Sequence, residues 1–279
     1  MDKLEYKDLL NAGVHFGHLT RKWNPKIAPY VFMERNGIHI IDLNKTLVEL
    51  DNAADAVKNI VRSGRKIMFV ATKKQAQEVV TEEAKRLRMP YVTDRWLGGM
   101  LTNFATIRKS LRKLSSIDKM MKEEEYKNLA KRERLMMSRE KEKLEKVLGG
   151  IADLTRLPSA LFVVDIKREH IAIKEAAKLN IPVIGMVDTN SDPTSIQFPI
   201  PGNDDAFKSI SLIVKYIGQA AEEGLIERRE QKEEAKLKEE EESKRQADEK
   251  EASEAKATAE AKEKSAAKEE TEKESASES

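Results

Sequence analysis

The chain has 279 residues, 39% hydrophobic and 36% charged, enough for one sizeable domain with additions. Its net charge of +2 hides an asymmetry: residues 226–279 carry 13 basic and 19 acidic side chains, and residues 1–225 carry 38 and 30. There is no cysteine, which excludes disulfides and thiolate metal sites. The amino terminus has no apolar core of signal-peptide length, and no run approaches the roughly 18 apolar residues of a membrane span, so a soluble cytoplasmic protein is expected. A basic body points to a polyanionic partner.

In chain order, "EYKDLLNAGV" (5–14) predicts a short amphipathic helix. "GVHFGHLTRKWNPKIAP" (13–29) has no clear periodicity and reads as a loop. "YVFMERNGIHIID" (30–42) alternates around Asn36-Gly37, the strongest short hairpin signal. A helix is expected over 43–64, a buried strand over 66–72, a helix over 73–88 and a short strand over 90–93. Further on, strands are expected at 159–165 and 181–188, with helices at 168–180 and 206–224. Continuous apolar strands separated by amphipathic helices imply a parallel sheet covered on both faces.

Residues 104 to about 154 interrupt this alternation. Ile107, Leu111, Leu114 and Met121 recur at three- and four-residue steps or their sum, and Met137, Leu144 and Ile151 at sevens. Two long helices forming an inserted antiparallel coiled-coil hairpin are expected, with Met120, Met121, Met136 and Met137 in its seam. The body is taken as 1–225. From 226 to 279 the chain is charged, of low complexity and almost free of large apolar residues. Such a tail cannot offset its ordering entropy, and disorder is expected, with some transient helix because Ala, Glu and Lys favour it.

An enzyme would place chemistry at the strand ends. Asp165 and Asp188 lie there; Asp188, Asp192, Asp204 and Asp205 are conceivable metal ligands, and His15, His18, His39 or His170 a conceivable base. Against this, no dinucleotide or P-loop glycine motif and no nucleophile elbow occurs. Strand-end aspartates more often cap the following turn. A nucleic-acid reading has more to use. "HFGHLTRKWNPK" interleaves His15, Phe16, His18 and Trp23 with Arg21, Lys22 and Lys26, planar groups for bases and cations for phosphates. "DRWLGGMLTNF" (94–104) repeats the theme with Arg95 and Trp96, while Gly98 and Gly99 allow close backbone approach with N–H groups open to a phosphate. Thr102 and Asn103 are placed to cap the next helix, which opens with Arg108, Lys109, Arg112 and Lys113. The alternative is that both tryptophans anchor the core and the basic residues form a solvated surface. A coiled-coil adaptor without RNA is a third reading.

Four ordered blocks, "GVHFGHLTRKWNPKIAPYVFMERNGIHIIDLNKT", "RWLGGMLTNFATIRKS", "PSALFVVDIKREHIAIKEAAKLNIPVIGMVDTNSDP" and "IPGNDDAFKSISLI", closely resemble the bacterial ribosomal protein S2 family over about residues 5–225. The resemblance implies a flavodoxin-like α/β/α domain with a protruding helical hairpin. It implies a non-catalytic role, without cofactor or metal: binding small-subunit rRNA near the head–body junction, late in assembly, beside other small-subunit proteins. In many bacteria it also implies docking of the large mRNA-binding ribosomal protein S1. Its signature residues fall on His15, His18, Arg21, Trp23, Asn24 and Lys26, then on Arg95, Trp96, Gly98, Gly99, Thr102 and Asn103, with Asn203 and Asp204 in a third turn.

Overall fold

The computed structural model describes residues 3–123, 126, 130–235 and 237. The chain divides into two units, residues 1–228 and 229–279; residues 229–235 and 237 of the second are helical. The first unit opens with α1 (Tyr6–Asn11) and a three-stranded antiparallel sheet of β1 (Phe16–Leu19), β2 (Val31–Arg35) and β3 (Ile38–Ile41), ordered β1-β3-β2. The β2–β3 hairpin turns at Asn36 and Gly37, whose φ angles of 54° and 71° are those a primed turn needs.

The stretch 13–29 is not a loop throughout, and here the sequence expectation is corrected. β1 pairs with β3 across a bulge, and two 3-10 turns, Thr20–Lys22 and Pro25–Tyr30, follow it. The strand has no alternating pattern because it is short and irregular, and its pairing is long-range. Gly17 makes the docking possible: a Cβ there would lie 2.5 Å from Thr189 Cγ2 and 2.9 Å from the His39 carbonyl oxygen.

The main sheet is parallel. It contains β4 (Ile67–Val70), β5 (Tyr91–Val92), β6 (Ala160–Val163), β7 (Val183–Val187) and β8 (Phe198–Pro201), ordered β5-β4-β6-β7-β8. Counted within the sheet this is 2-1-3-4-5, the doubly wound order of flavodoxin. β8 was not expected. Its prolines argue against a central strand, and it lies at the sheet edge, where proline is tolerated. Alternate strand residues face two apolar layers. Ile67, Phe69, Phe162, Ile184 and Met186 pack with α2 (Leu43–Arg62), α3 (Lys74–Arg86) and a closing helix, α7 (207–235). Met68, Val70, Leu161, Val163 and Val183 face the other side, with α6 (His170–Lys178) and the bases of α4 (Phe104–Met120) and α5 (Lys131–Leu148).

α7 continues past Gly224, where the expected helix ended. The glycine is there for helix packing, since a Cβ at that position would sit 2.6 Å from the Lys58 carbonyl oxygen of α2. The start of the tail, residues 226–235, is therefore helical; the remainder expected to be disordered, apart from Leu237, lies outside the described residues. α4 and α5 run side by side, tied by ion pairs Lys113–Glu140 and Asp118–Lys141. Ile107, Leu114 and Ile117 are buried, and Leu111, Met121, Met137 and Leu144 are half-buried. Met120 and Met136 are exposed, against the expectation that all four methionines pack in a seam.

Candidate nucleic-acid interface

The two motif loops both lie over the carboxyl ends of the parallel strands. After β5 the chain turns through 94–103 into α4. Three backbone amides and two side chains of this turn converge on one carboxylate, that of Glu175 on the inward face of α6. Trp96 Nε1 donates to Glu175 Oε1 at 3.2 Å and the Gly99 amide to the same oxygen at 2.7 Å. The amides of Leu101 and Thr102 donate to Oε2 at 3.0 Å each, and the Thr102 hydroxyl at 3.1 Å. Burial raises the pKa of Glu175, but this ring of donors outweighs it and holds the carboxyl below its ordinary value. The loop is thus an anion nest already filled by the protein's own anion.

This corrects two sequence expectations. The Gly99 amide, expected to be open to a phosphate, is committed to Glu175. Trp96 is 7% exposed, packed beside Met100, Leu101 and Ile107, and is a core anchor rather than a stacking surface. Gly99 sits at φ 85°, where a side chain would be strained. Asn103 precedes α4 without a side-chain bond to its amides; its carboxamide oxygen accepts from the Thr106 hydroxyl at 2.9 Å. Arg95, Gly98, Arg108, Lys109 and Arg112 are exposed.

The first loop divides the same way. Arg21 and Lys22 are exposed, and Trp23, 38% exposed, stacks on the buried His39 ring with centroids 4.8 Å apart. Asn24 shapes the turn: its side-chain oxygen accepts from the Lys26 amide at 3.0 Å. Lys26 reaches Asp192 at 2.6 Å. Asp192 also accepts from the amide and hydroxyl of Thr194, so it serves as a cap and a pair. His15 is half-buried against Phe16, and burial lowers its pKa.

His18, Asp188, Asp204 and Asp205 bring their ligand atoms within 4.8 Å of one another. His18 Nδ1 lies 3.0 Å from Asp188 and Nε2 3.3 Å from Asp205. The hydrogen bond to Asp188 raises the His18 pKa. Lys73 Nζ, at the end of β4, bridges Asp204 and Asp205 at 2.6 Å each and Asp165 at 3.5 Å. Asp204 is fully buried, and burial with the charges of Asp188 and Asp165 pushes its pKa up to about 7. Its Oδ2 has no hydrogen-bond partner among the described residues. One imidazole nitrogen and three carboxylate oxygens are a donor set a divalent cation can use. The sequence reading expected no metal, although it weighed Asp188, Asp204 and Asp205, with Asp192, as conceivable ligands and His18 as a conceivable base; His18 meets Asp188 where β1 packs on the turn after β7, the His18 amide donating to the Thr189 hydroxyl at 2.8 Å. Asn203 is buried, with its amide donating to the Gly13 carbonyl at 3.1 Å and its oxygen accepting from the Asp205 and Ala206 amides. It and Asp204 shape the third signature turn from inside.

Asp165 does cap its turn, accepting from the Arg168 amide at 3.0 Å, whereas Asp188 accepts from the adjacent Thr189 amide and from that of the distant Asp204 and faces His18. Glu175 and Lys73 were missed by sequence reasoning. The available signal for Glu175 was a carboxylate sharing the buried helix face of Ala172 and Ala176.

A family model described as ribosomal protein S2 matches residues 9–224. The chain belongs to the ribosomal protein S2 family. Its relatives include the "Small ribosomal subunit protein uS2" of Cytophaga hutchinsonii, 74% identical over 235 residues, spanning 84% of this chain and 92% of that one. The protein of the same name from Flavobacterium johnsoniae is 61% identical, covering 83% and 91%. That from Parabacteroides distasonis is 58% identical, covering 85% of each. The S2 family is structural and non-enzymatic, in keeping with the filled anion nest. No helix among the described residues is long and apolar enough to cross a membrane.

Proposed function

We propose that this chain is a structural constituent of the small ribosomal subunit, cytoplasmic and ribosome-bound, whose body holds small-subunit rRNA near the head–body junction and supports subunit assembly and translation. The observation that carries the reading is the filling of the Gly-Gly loop by Glu175. A loop closed to nucleotides, flanked by exposed Arg95, Arg108, Lys109 and Arg112, suits a scaffold gripping folded RNA better than a cofactor enzyme. Arg21, Lys22 and the exposed part of Trp23 offer the second set of cations and a flat face. His15, His18, Asn24, Lys26, Trp96, Gly98, Gly99, Thr102, Asn103, Asn203 and Asp204 belong to the same signature loops; those whose partners lie within the protein act by shaping them. α4 and α5 act as an antiparallel coiled-coil hairpin projecting towards RNA, and the charged tail is a separate segment after the body.

An exposed apolar surface beside α1, including Tyr6, Leu10, Phe16, Phe32 and Met33, supports contact with a neighbouring ribosomal protein, for which S1 is the candidate from the family resemblance. The deciding experiment is sedimentation of the tagged full chain from lysate at low and moderately high salt. Co-migration with the small subunit at both salts is expected; migration only as a free species would sink the proposal. Arg95→Ala should reduce incorporation with the domain still folded, measured as the variant-to-wild-type ratio in small-subunit fractions; equal incorporation would remove Arg95 from the interface.

A further inference from the structure

The sheet order reverses between β4 and β6, and in doubly wound sheets the crevice outside such a switch point is where ligands bind. Here that crevice has a volume of about 470 Å³, with Thr72, Asp94, Arg95, Trp96, Arg168 and Glu169 on its walls. Of the motif residues only Asp94, Arg95 and Trp96 lie in it, and Arg168 belongs to no signature loop.

Its walls are held rigidly by two buried carboxylates at either end of one short segment. Glu169, just before α6, accepts from the Thr72 amide at 3.0 Å and from the Thr72 hydroxyl, fixing the end of β4. Glu175, within α6, fixes the loop after β5 through the ring of donors already described. Arg168 is anchored by its Nε, which donates to Thr72 Oγ1 at 2.9 Å. That leaves the outer edge of the guanidinium for a ligand. Arg95 and Arg168 are both exposed, and among the described residues neither forms an ion pair. The other acid on the wall, Asp94, faces Lys146 at 3.4 Å.

From the crevice, a basic row continues along the exposed face of α6. His170, Lys174 and Lys178 are all exposed and follow four-residue steps, so they share one side of the helix, and the exposed Lys167 lies in the turn just before it. The opposite side, with Ala172, Ile173 and Ala176, is buried. A helix of this kind needs no cationic row for folding, and the row has a spacing that a phosphate backbone can follow.

We infer that the switch-point crevice is a phosphate seat, in which the guanidiniums of Arg95 and Arg168 hold one RNA backbone phosphate while Lys174 and Lys178 of α6 track the strand beyond it. The inference rests on the RNA-binding reading above and deepens it by assigning a face that the signature loops do not cover. Arginine suits the seat because its planar fork takes two phosphate oxygens at once.

The test uses the full chain and small-subunit particles depleted of it, with binding measured over a series of salt concentrations. Wild type is expected to bind with a steep salt dependence. Arg168→Glu should weaken binding about tenfold and flatten the logarithmic salt slope by about one, the signature of one lost phosphate contact. Lys174→Glu, which touches no wall of the crevice, should act in the same direction with an unchanged melting temperature, so that misfolding cannot account for both. Arg168→Lys should restore part of the affinity. If wild type binds and both charge reversals bind with its affinity and slope, the phosphate seat is wrong while the RNA reading survives. If wild type itself does not bind the particles, the RNA reading fails first. If ATP at micromolar concentration stabilises the free chain through Arg168 while RNA binding is indifferent to that residue, the phosphate comes from a nucleotide and the proposal is overturned.

Discussion

Glu175 is one side chain among 279, yet the shape of the loop from Trp96 to Thr102 is set around it. Its removal leaves several buried donors unpaired, each costing on the order of 1–3 kcal/mol. Glu175→Ala should therefore destabilise the domain by about 3 kcal/mol or more, read from denaturant midpoints. A loss of less than about 1 kcal/mol would mean that the loop finds other partners. The sign of the pH effect follows from the lowered pKa. The charged form is favoured in the fold, so the stabilisation is present above the ordinary carboxylate range and is lost as pH falls through the folded value. Glu175→Gln should flatten this acid limb, and an unchanged acid limb would assign it to other carboxylates. A second residue-scale expectation concerns the set of His18, Asp188, Asp204 and Asp205. Added zinc should raise the melting temperature of wild type, a chelator should reverse it, and Asp188→Asn should abolish the response. Equal shifts in both proteins would place any bound ion elsewhere.

At the scale of elements, the hairpin at Asn36-Gly37 was legible because two residues suffice to specify that turn. α2, α3 and the strands β4, β6 and β7 were legible because their apolar periods run long enough to be distinctive. β1 and β8 were not. They are no shorter than β4 and β6, but neither is a continuous run of large apolar residues: one has a bulge and the other two prolines, and each exists because of a distant partner, β3 in one case and β7 in the other. The candidate site was legible as two loops, but which side chains face outward was hidden, because Trp96 and Trp23 look alike in sequence and only Trp96 has a buried acceptor beneath it. The docking of β1 gives a test of this long-range dependence. Gly17→Ala places a methyl group within contact of Thr189 and the His39 carbonyl, and should cost about 1–3 kcal/mol. It should also loosen the His18–Asp188 pair, visible as a shift of the His18 imidazole resonances. Neither change appearing would show that β1 has room to move.

For the molecule as a whole, charge is divided by position. The body carries the excess of basic residues and the segment from 226 onward the excess of acidic ones. Truncation at Leu225 takes away that acidic excess but also the end of α7, including Glu227 with its bridges to Lys58 and Arg62. Truncation after Leu237 keeps them. The longer truncation product should incorporate into subunits as wild type does if the tail is a solvated appendage. Slower incorporation, with an unchanged melting temperature, would give the tail a part in RNA approach.

The carboxylate at the centre of the Gly-Gly loop has a consequence for assembly. A loop that waits for its ligand must be frozen when the ligand arrives, and that loss of freedom is charged against affinity. Here the freezing happens during folding of the protein, long before any RNA is met. The protein presents a finished template, and the conformational search at this contact falls to the nucleic acid, so the speed of docking should follow how quickly the RNA folds rather than how quickly this loop does.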